Sequence, residues 1–222
     1  MLCYKNGSLA REQIRNQING TTSNDWEHFN ALLTSTKILG NSDKKKLGFY
    51  FPLPEIIPDA PSGVWRFILD ESGIPHEVDK SETWTDDDDV RAIVESQALS
   101  MRLRSQPLTG NGKPVHLYFV GGASQNSAIV ASMSSVLGSQ QGVFRLTEGA
   151  TAGACARGSA IKAAWGLDGR GQEFEEFVRT RWSANGKLKK LDVEQDQSRW
   201  VEYGSVLEPY SKCEQSILSK SR

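Results

Sequence analysis

One stretch, residues 115–138, constrains the fold of this chain more than any other. It begins Val-His-Leu-Tyr-Phe-Val-Gly-Gly-Ala-Ser-Gln-Asn and continues through a mostly apolar segment to Gly138. An apolar strand therefore runs through a glycine pair directly into a helix, an order typical of α/β proteins. The sequence predicts a strand, a tight turn and a helix start at this place.

The glycine pair and the helix start are compatible with a ligand. Gly121 and Gly122 carry no Cβ, so the backbone can adopt positive φ and let a flat or anionic group approach closely. We expect Ser124 to cap the helix, whose first N–H groups are natural partners for polar ligand atoms. An ordinary strand-to-helix corner without a ligand has the same local pattern, so the rest of the chain must decide.

Before this stretch, the pattern predicts a strand at 1–4 and a helix capped by Ser8. The first helix would direct Leu9, Ile14 and Ile18 inward and Arg11, Glu12 and Arg15 toward water. A second helix would start at the cap Asp25 and direct Trp26, Phe29, Leu32 and Leu33 to one face; Trp26 would close the core or line the edge of a pocket. Further predicted elements are strands at 47–52 and 64–69, a loop at 70–83, a helix from the cap Thr85 through Arg104, and a loop at 107–114.

The acidic run at 86–89 invites a metal-binding interpretation, but its place at a helix start explains it better. Acids in the first turn complement the positive end of the helix dipole, and the run lacks the glycine spacing of a calcium loop. We therefore expect no metal site there.

After Gly138, the pattern predicts a strand at 140–146 and a helix at 148–165 that is crowded with alanine and glycine. Each glycine in a helix costs about 1 kcal/mol against alanine, so this composition suggests close packing against a sheet or another helix. An amphipathic helix is expected at 171–184. The strongly charged segment 187–199 and the moderately apolar segment 206–218 predict a surface appendage at the C-terminus, in part mobile.

Charge and cysteine usage exclude several classes of protein. The net charge of the 222 residues is −1, which argues against general binding to nucleic acid or to anionic membranes. The three cysteines are widely spaced and odd in number, which fits neither a disulfide framework nor a CxxC metal site. With no basic leader followed by an apolar segment, and no apolar run of bilayer length, we expect a cytoplasmic protein.

Four segments in order resemble the C-terminal lobe of the FGGY carbohydrate kinases, and among these the eukaryotic, especially fungal, D-xylulose kinases. They are Gly-Phe-Tyr-Phe-Pro-Leu-Pro-Glu (48–55), Glu-Ser-Gln-Ala-Leu-Ser-Met-Arg (95–102), Gly-Gly-Ala-Ser-Gln-Asn (121–126) and Glu-Gly-Ala-Thr-Ala-Gly-Ala-Cys-Ala-Arg-Gly-Ser-Ala (148–160). The resemblance weakens at 70–84 and after about residue 185.

The resemblance implies an α/β, ribonuclease H-like lobe of the actin and hexokinase type, with ATP in the cleft between two lobes. It implies an FGGY nucleotide-binding domain at 1–185, incomplete at its start, followed by a charged extension at 186–222. Gly121, Gly122, Ala123 and Asn126 would then belong to the adenosine motif, and Trp26 would flank the nucleotide. The small-residue helix 151–164 would pack behind the nucleotide site.

The resemblance also implies what this sequence lacks. The catalytic Asp and the glycine-threonine turns that hold the ATP phosphates and Mg²⁺ precede the matching region in this family, and D-xylulose binds mainly to the preceding lobe. Gly20-Thr21-Thr22 lies between two helices, the wrong setting for such a turn. We therefore expect no catalytic residue, no metal ligand and no turnover in this chain alone. We also expect it to self-associate or to need a partner, because a sheet edge and an apolar surface would be uncovered.

Three alternatives stay open at this stage. The chain could be a non-catalytic truncated product, or belong to another FGGY sugar kinase acting on glycerol, ribulose or gluconate. A nucleotide-dependent dehydrogenase is disfavoured because Gly-Gly-Ala-Ser-Gln-Asn lacks the G-x-G-x-x-G spacing. Histidines 28, 76 and 116 are scattered and support no triad or metal site.

Overall fold

The computed structural model describes residues 2–20, 24–40, 43–81, 83–147, 153–169, 171–181 and 188–220. Within these residues the elements follow in the order α1 (Gly7–Asn19), α2 (Glu27–Ser35), β1 (Lys46–Phe51), β2 (Gly63–Leu69), β3 (Pro75–Val78), α3 (Asp86–Thr109), β4 (His116–Phe119), α4 (Ser127–Leu137), β5 (Gly142–Leu146), α5 (Ala154–Asp168), α6 (Phe174–Arg181), β6 (Leu188–Leu191), α7 (Gln197–Ser205) and α8 (Leu207–Ser219).

The described part of the chain contains two three-stranded sheets, and strand β1 of the first packs against the long helix α3. The first has the order β1-β2-β3 and is antiparallel throughout. The second has the order β4-β5-β6, with β4 and β5 parallel and β6 antiparallel to β5. The parallel pair is joined through α4, which is the crossover that such strands need. The predicted α/β class is confirmed.

Helix α3 lies at the centre because it is buried on almost every side. Thr85 begins it with a reciprocal cap: its hydroxyl accepts from the N–H of Asp88, and the Asp88 carboxylate accepts from the N–H of Thr85. Asp88 and Asp89 form ion pairs with basic residues of the first sheet. Lys46 contacts Asp88 at 2.6 Å, and Arg66 contacts Asp89 at 2.8 Å. The capping interpretation of the acidic run is confirmed. The helix also continues through Pro107 to Thr109, where a loop was predicted.

Several local predictions are wrong near the chain start. Residues 2–4 form no strand, and neither Ser8 nor Asp25 occupies the N-cap position. Asn6 precedes α1 and hydrogen-bonds to the segment that follows β1: its amide nitrogen donates to the Leu53 carbonyl at 2.8 Å. The predicted loop at 70–83 contains β3, which pairs antiparallel with β2. The strand β3 and the Asn6 contact depend on partners elsewhere in the chain, which local propensity does not report.

The C-terminal helices are part of the core, so the predicted surface appendage is wrong for residues 197–219. Tyr203, Tyr210 and Cys213 are at most 2% exposed, and all three belong to the same apolar cluster as α3. The Tyr210 hydroxyl donates to the Ser96 carbonyl at 3.0 Å. The preceding strand β6 completes the second sheet. The boundary between 185 and 186 itself stays a prediction.

The small-residue helix does not pack as predicted in its described part. Most side chains of α5 are exposed, and a Cβ added at Gly158 would meet nothing within 4 Å. Its contacts are with α6, where Trp165 meets Phe174 edge to face at 5.4 Å. Residues 148–152, the beginning of the predicted helix, lie outside the described residues.

No helix that the structure describes is both long and apolar enough to cross a lipid bilayer.

Candidate functional site

The glycine turn follows β4 as the sequence predicts, but the helix begins later. Gly121 has φ 83° and ψ −176°, a conformation essentially restricted to glycine. Residues 122–125 then form one 3-10 turn, inside which the Ser124 hydroxyl donates to the Gly121 carbonyl at 2.6 Å. The cap of α4 is therefore Asn126, whose side-chain oxygen accepts from the N–H of Ile129 at 3.1 Å. The expectation that Ser124 caps this helix is wrong, because the extra turn delays the helix start.

A cleft of about 650 Å³ opens beside this turn, between α1, the start of α2 and the start of α4. We call it the α1–α2–α4 cleft. It joins residues 8–30 to residues 122–129, a proximity that no local pattern could reveal. Its lining includes Arg11 and Glu12 from α1, Trp26 and Asn30 from the second helix region, and Gly122, Ala123 and Asn126 from the glycine turn.

Four of the five residues that the resemblance implies thus meet at one place. Trp26, Gly122, Ala123 and Asn126 all line the cleft, whereas Gly121 shapes the turn from behind through its positive φ. At Gly122 a Cβ would meet no atom within 4 Å, so the space above this glycine is open. The turn therefore presents bare backbone to whatever enters the cleft.

Trp26 serves both the core and the cleft. Its ring packs edge to face on the buried Phe29, with centroids 5.2 Å apart and planes at 83°. The guanidinium of Arg15 lies 4.7 Å from the ring centroid. Arg15 is itself held by the Asn16 side chain and the Asn24 carbonyl, at 2.7 and 3.2 Å. These contacts fix the ring at the cleft wall.

Arg11 is a cleft residue that the sequence analysis missed. It is only 7% exposed, as is Arg15, so the expectation that both face water is wrong. Burial lowers the pKa of the Arg11 guanidinium, against the opposing effect of Glu12. Its Nη1 donates to Gln97, whose own amide nitrogen donates to the Gly7 carbonyl at 2.8 Å. The spacing of Arg11, Ile14 and Ile18 places all three on one helix face, which is the signal that could have found it.

The Arg11 Nε atom has no hydrogen-bond partner among the described residues, although it is buried. Such an orphaned donor is costly inside a protein, particularly on a charged group. The link between Arg11 and the cleft is its place in the cleft lining, where a guanidinium suits an acceptor-rich ligand.

Asn126 is held from two sides. Its oxygen caps α4, and its amide nitrogen donates to the side-chain oxygen of Asn30 at 2.8 Å. These two bonds leave one N–H and one oxygen lone pair on the amide. Asn30 was not singled out by sequence reasoning, because an asparagine inside a helix carries no motif by itself.

Other candidate sites in the described part of the chain offer less. It contains no group of three or more His, Cys, Asp or Glu side chains that could hold a metal ion. A larger hollow of about 860 Å³ lies at the start of α3. Two of the charged side chains lining it, Lys46 and Asp88, are paired with each other at 2.6 Å. Nothing there corresponds to the unsatisfied guanidinium of the α1–α2–α4 cleft.

Comparison with known proteins gives a family. Residues 1–167 match the C-terminal domain of the FGGY family of carbohydrate kinases. The whole chain is 42% identical over 228 residues to the xylulose kinase of Schizosaccharomyces pombe, and 40% identical over 237 residues to the probable D-xylulose kinase A of Aspergillus terreus. It spans only 40% and 41% of these two relatives.

Solved structures show the same fold. The ligand-bound xylulose kinase of Lactobacillus acidophilus superposes with a TM-score of 0.65 at 12% identity, over 97% of this chain and 39% of that one. The gluconate kinase of the same organism gives 0.63 at 13% identity, over 96% and 39%. The predicted C-terminal-lobe fold is confirmed. The matched domain shows that the chain belongs to the FGGY family of carbohydrate kinases, whose C-terminal domain it carries.

Proposed function

We propose that the α1–α2–α4 cleft binds the adenosine part of ATP and ADP, and that the chain is the nucleotide-binding portion of a D-xylulose kinase. One observation carries the first part. Trp26, Gly122, Ala123 and Asn126 converge on one cleft, which Arg11 also lines. A nucleoside, with its flat base and its neutral nitrogen and oxygen acceptors, would complement both the ring of Trp26 and the guanidinium of Arg11.

Each cleft residue then has a distinct task. Gly122 lets the nucleotide approach the backbone, since no Cβ occupies the open space above it. Trp26 forms a wall fixed by Phe29 and Arg15. Asn126 offers one donor and one acceptor to the base. Arg11 supplies a charge at the cleft wall, and a guanidinium there suits oxygen or nitrogen acceptors of the nucleotide.

The sugar is proposed from the relatives. The two fungal proteins at 40% and 42% identity are named as xylulose kinases. The reaction would transfer the γ-phosphoryl group of ATP to a hydroxyl of D-xylulose, giving ADP and D-xylulose 5-phosphate, a step of pentose metabolism. Another FGGY sugar is the alternative, since a gluconate kinase shares the fold.

The phosphate end of ATP, its Mg²⁺ and the sugar would be handled by the part of the kinase that these relatives have beyond this chain. The described residues contain no cluster of ligands for a metal, so we derive no step of the reaction through one. We propose that this chain alone has no turnover and acts in the cytoplasm. Nucleic acid is not an expected partner, given a net charge of −1.

Calorimetric titration of ADP into the chain tests the nucleotide site. We expect saturable binding that is weakened by Asn126→Ala and by Gly122→Val. ADP release from ATP and D-xylulose is then measured for the chain alone and with the preceding lobe of a fungal relative added. If ADP binds neither to the chain alone nor to the chain with the added lobe, the proposed nucleotide site is wrong. If the chain alone shows turnover, the proposal that the phosphates and the sugar are handled outside this chain is wrong.

A further inference from the structure

The amide orientations of Asn126 and Asn30 follow from their hydrogen bonds. The backbone N–H of Ile129 can only donate, so the Asn126 atom facing it at 3.1 Å must be the oxygen. The nitrogen of Asn126 therefore faces Asn30 at 2.8 Å, and the Asn30 atom that receives it must be the oxygen. Neither side chain can flip without placing two donors or two acceptors against each other.

This arrangement leaves Asn126 with a fixed pattern of one donor and one acceptor. That pattern is complementary to adenine, which presents an acceptor at N7 beside a donor at N6 and pairs with asparagine in this way. Guanine presents two acceptors, N7 and O6, on the same edge, so its O6 would lie against the Asn126 oxygen. An amide that was free to turn would lose this fixed order of donor and acceptor.

We propose that Asn30 is a specificity-determining residue, which together with the N–H of Ile129 holds the Asn126 amide in the orientation that favours adenine over guanine nucleotides. Asn30 acts through Asn126 and is therefore a positioning residue. Both side chains line the α1–α2–α4 cleft, and the bond between them joins α2 to the start of α4. The proposal rests on the nucleotide site proposed above, and adds the residue that makes this site selective for adenine.

The test compares ADP and GDP affinities of the 222-residue chain and three variants by calorimetry. We expect the chain to bind ADP at least about tenfold more tightly than GDP, the value of one well-made hydrogen-bond pair. Asn30→Ala should weaken ADP binding about tenfold and leave GDP binding nearly unchanged. Asn30→Asp keeps an oxygen that accepts from Asn126, so it should retain the ADP-to-GDP ratio even if both affinities fall.

Thr34→Ala is the matched control, because Thr34 lies one turn along α2 and its hydroxyl donates to the backbone carbonyl of Asn30, at 2.7 Å, and not to the Asn30 side chain. It should leave the ratio unchanged. Equal affinities for ADP and GDP in the unmodified chain, or an unchanged ratio in Asn30→Ala, would overturn this inference and leave the nucleotide site standing. If Asn30→Ala does not fold, loss of the ratio in a folded Asn30→Asp overturns it. No binding of either nucleotide would overturn the proposed function itself.

Discussion

The Tyr203 hydroxyl donates a hydrogen bond of 2.6 Å to the Glu95 carboxylate, 108 residues earlier in the chain. Glu95 is buried at the centre of α3 and also accepts from the Arg91 Nε at 2.6 Å. Burial raises the pKa of Glu95, although the Arg91 charge opposes this effect. A buried hydrogen-bond network therefore joins the C-terminal helix α7 to the central helix α3.

Removing the Tyr203 hydroxyl from this network should lower the stability of the fold. Tyr203→Phe deletes the hydroxyl that bonds Glu95 and also accepts from Arg91 at 2.9 Å, leaving both charged groups short of a partner. We expect the free energy of unfolding to fall by about 1–3 kcal/mol, measured by urea denaturation. Tyr118→Phe is the control, because Tyr118 is 55% exposed. Equal stability of both variants would contradict the role given to Tyr203.

Glu55 should make the stability depend on pH in the acid range. Burial raises its pKa, but the N–H groups of Lys5, Ile56 and Asn6 outweigh this and hold the pKa below the ordinary value of 4.5. Since the folded-state pKa is the lower one, the carboxylate stabilises the fold fully above pH 4.5. This contribution is lost as the pH falls through the folded-state pKa.

Glu55→Gln is the corresponding experiment. At pH 7 the free energy of unfolding should fall by about 1.5–3 kcal/mol, because hydrogen bonds to a charged group are lost. Urea denaturation of both proteins between pH 7 and pH 3 should show the difference shrinking below about pH 4.5, the ordinary value for a glutamate. A difference that stays constant down to pH 3 would contradict the assignment.

Substitutions at the two glycines of the turn should have different effects: one at Gly121 should lower stability, and one at Gly122 should weaken ADP binding. Gly121→Val forces a branched side chain to φ 83°, at a cost of about 1–3 kcal/mol. Gly122→Val has open space for its Cβ, so stability should change little while the side chain obstructs the cleft. Thermal denaturation and ADP titration of both variants check this. Loss of stability in Gly122→Val alone would reverse our interpretation.

Arg11→Met should weaken nucleotide binding more than it weakens the fold. The variant removes the buried unsatisfied Nε and keeps a side chain of similar length in the helix. We expect ADP affinity to fall about 10- to 100-fold and stability to change by less than about 1 kcal/mol. Arg15→Met, on the same helix, removes a guanidinium whose donors are paired, and should lower the melting temperature more. Unchanged ADP affinity in Arg11→Met would count against this role.

Self-association of the chain stays a prediction, and β4 is where it should occur. In the described sheet β4 has a neighbour on one side only, and Val115, Tyr118 and Val120 are 47%, 55% and 63% exposed. An open apolar strand edge is a template for pairing with a second chain. Sedimentation velocity should show species larger than a monomer, reduced by Tyr118→Lys. A compact monomer at all concentrations would contradict it.

The sequence alone determined the elements with strong local signals. The glycine turn after β4, the capped start of α3 and the aromatic strand β1 follow from residue type and spacing. The set of ordered segments was specific enough to indicate the family. The turn, the helix cap and the strand could be predicted because the information for each lies within a few residues along the chain, whereas the binding role of the cleft residues stays a prediction.

Tertiary structure decided the rest, because the partners are far apart in sequence. Arg11 can be buried because the side-chain oxygen of Gln97 on α3 accepts a hydrogen bond from its guanidinium. Asn30 belongs to the proposed site because α4 begins beside it, where the Asn126 amide donates to it. The charged C-terminal region enters the core because Tyr203 reaches Glu95. Charge and helix periodicity can be read from neighbouring residues. Whether a polar side chain can be buried depends on a hydrogen-bond partner, which in these cases lies far away in the sequence.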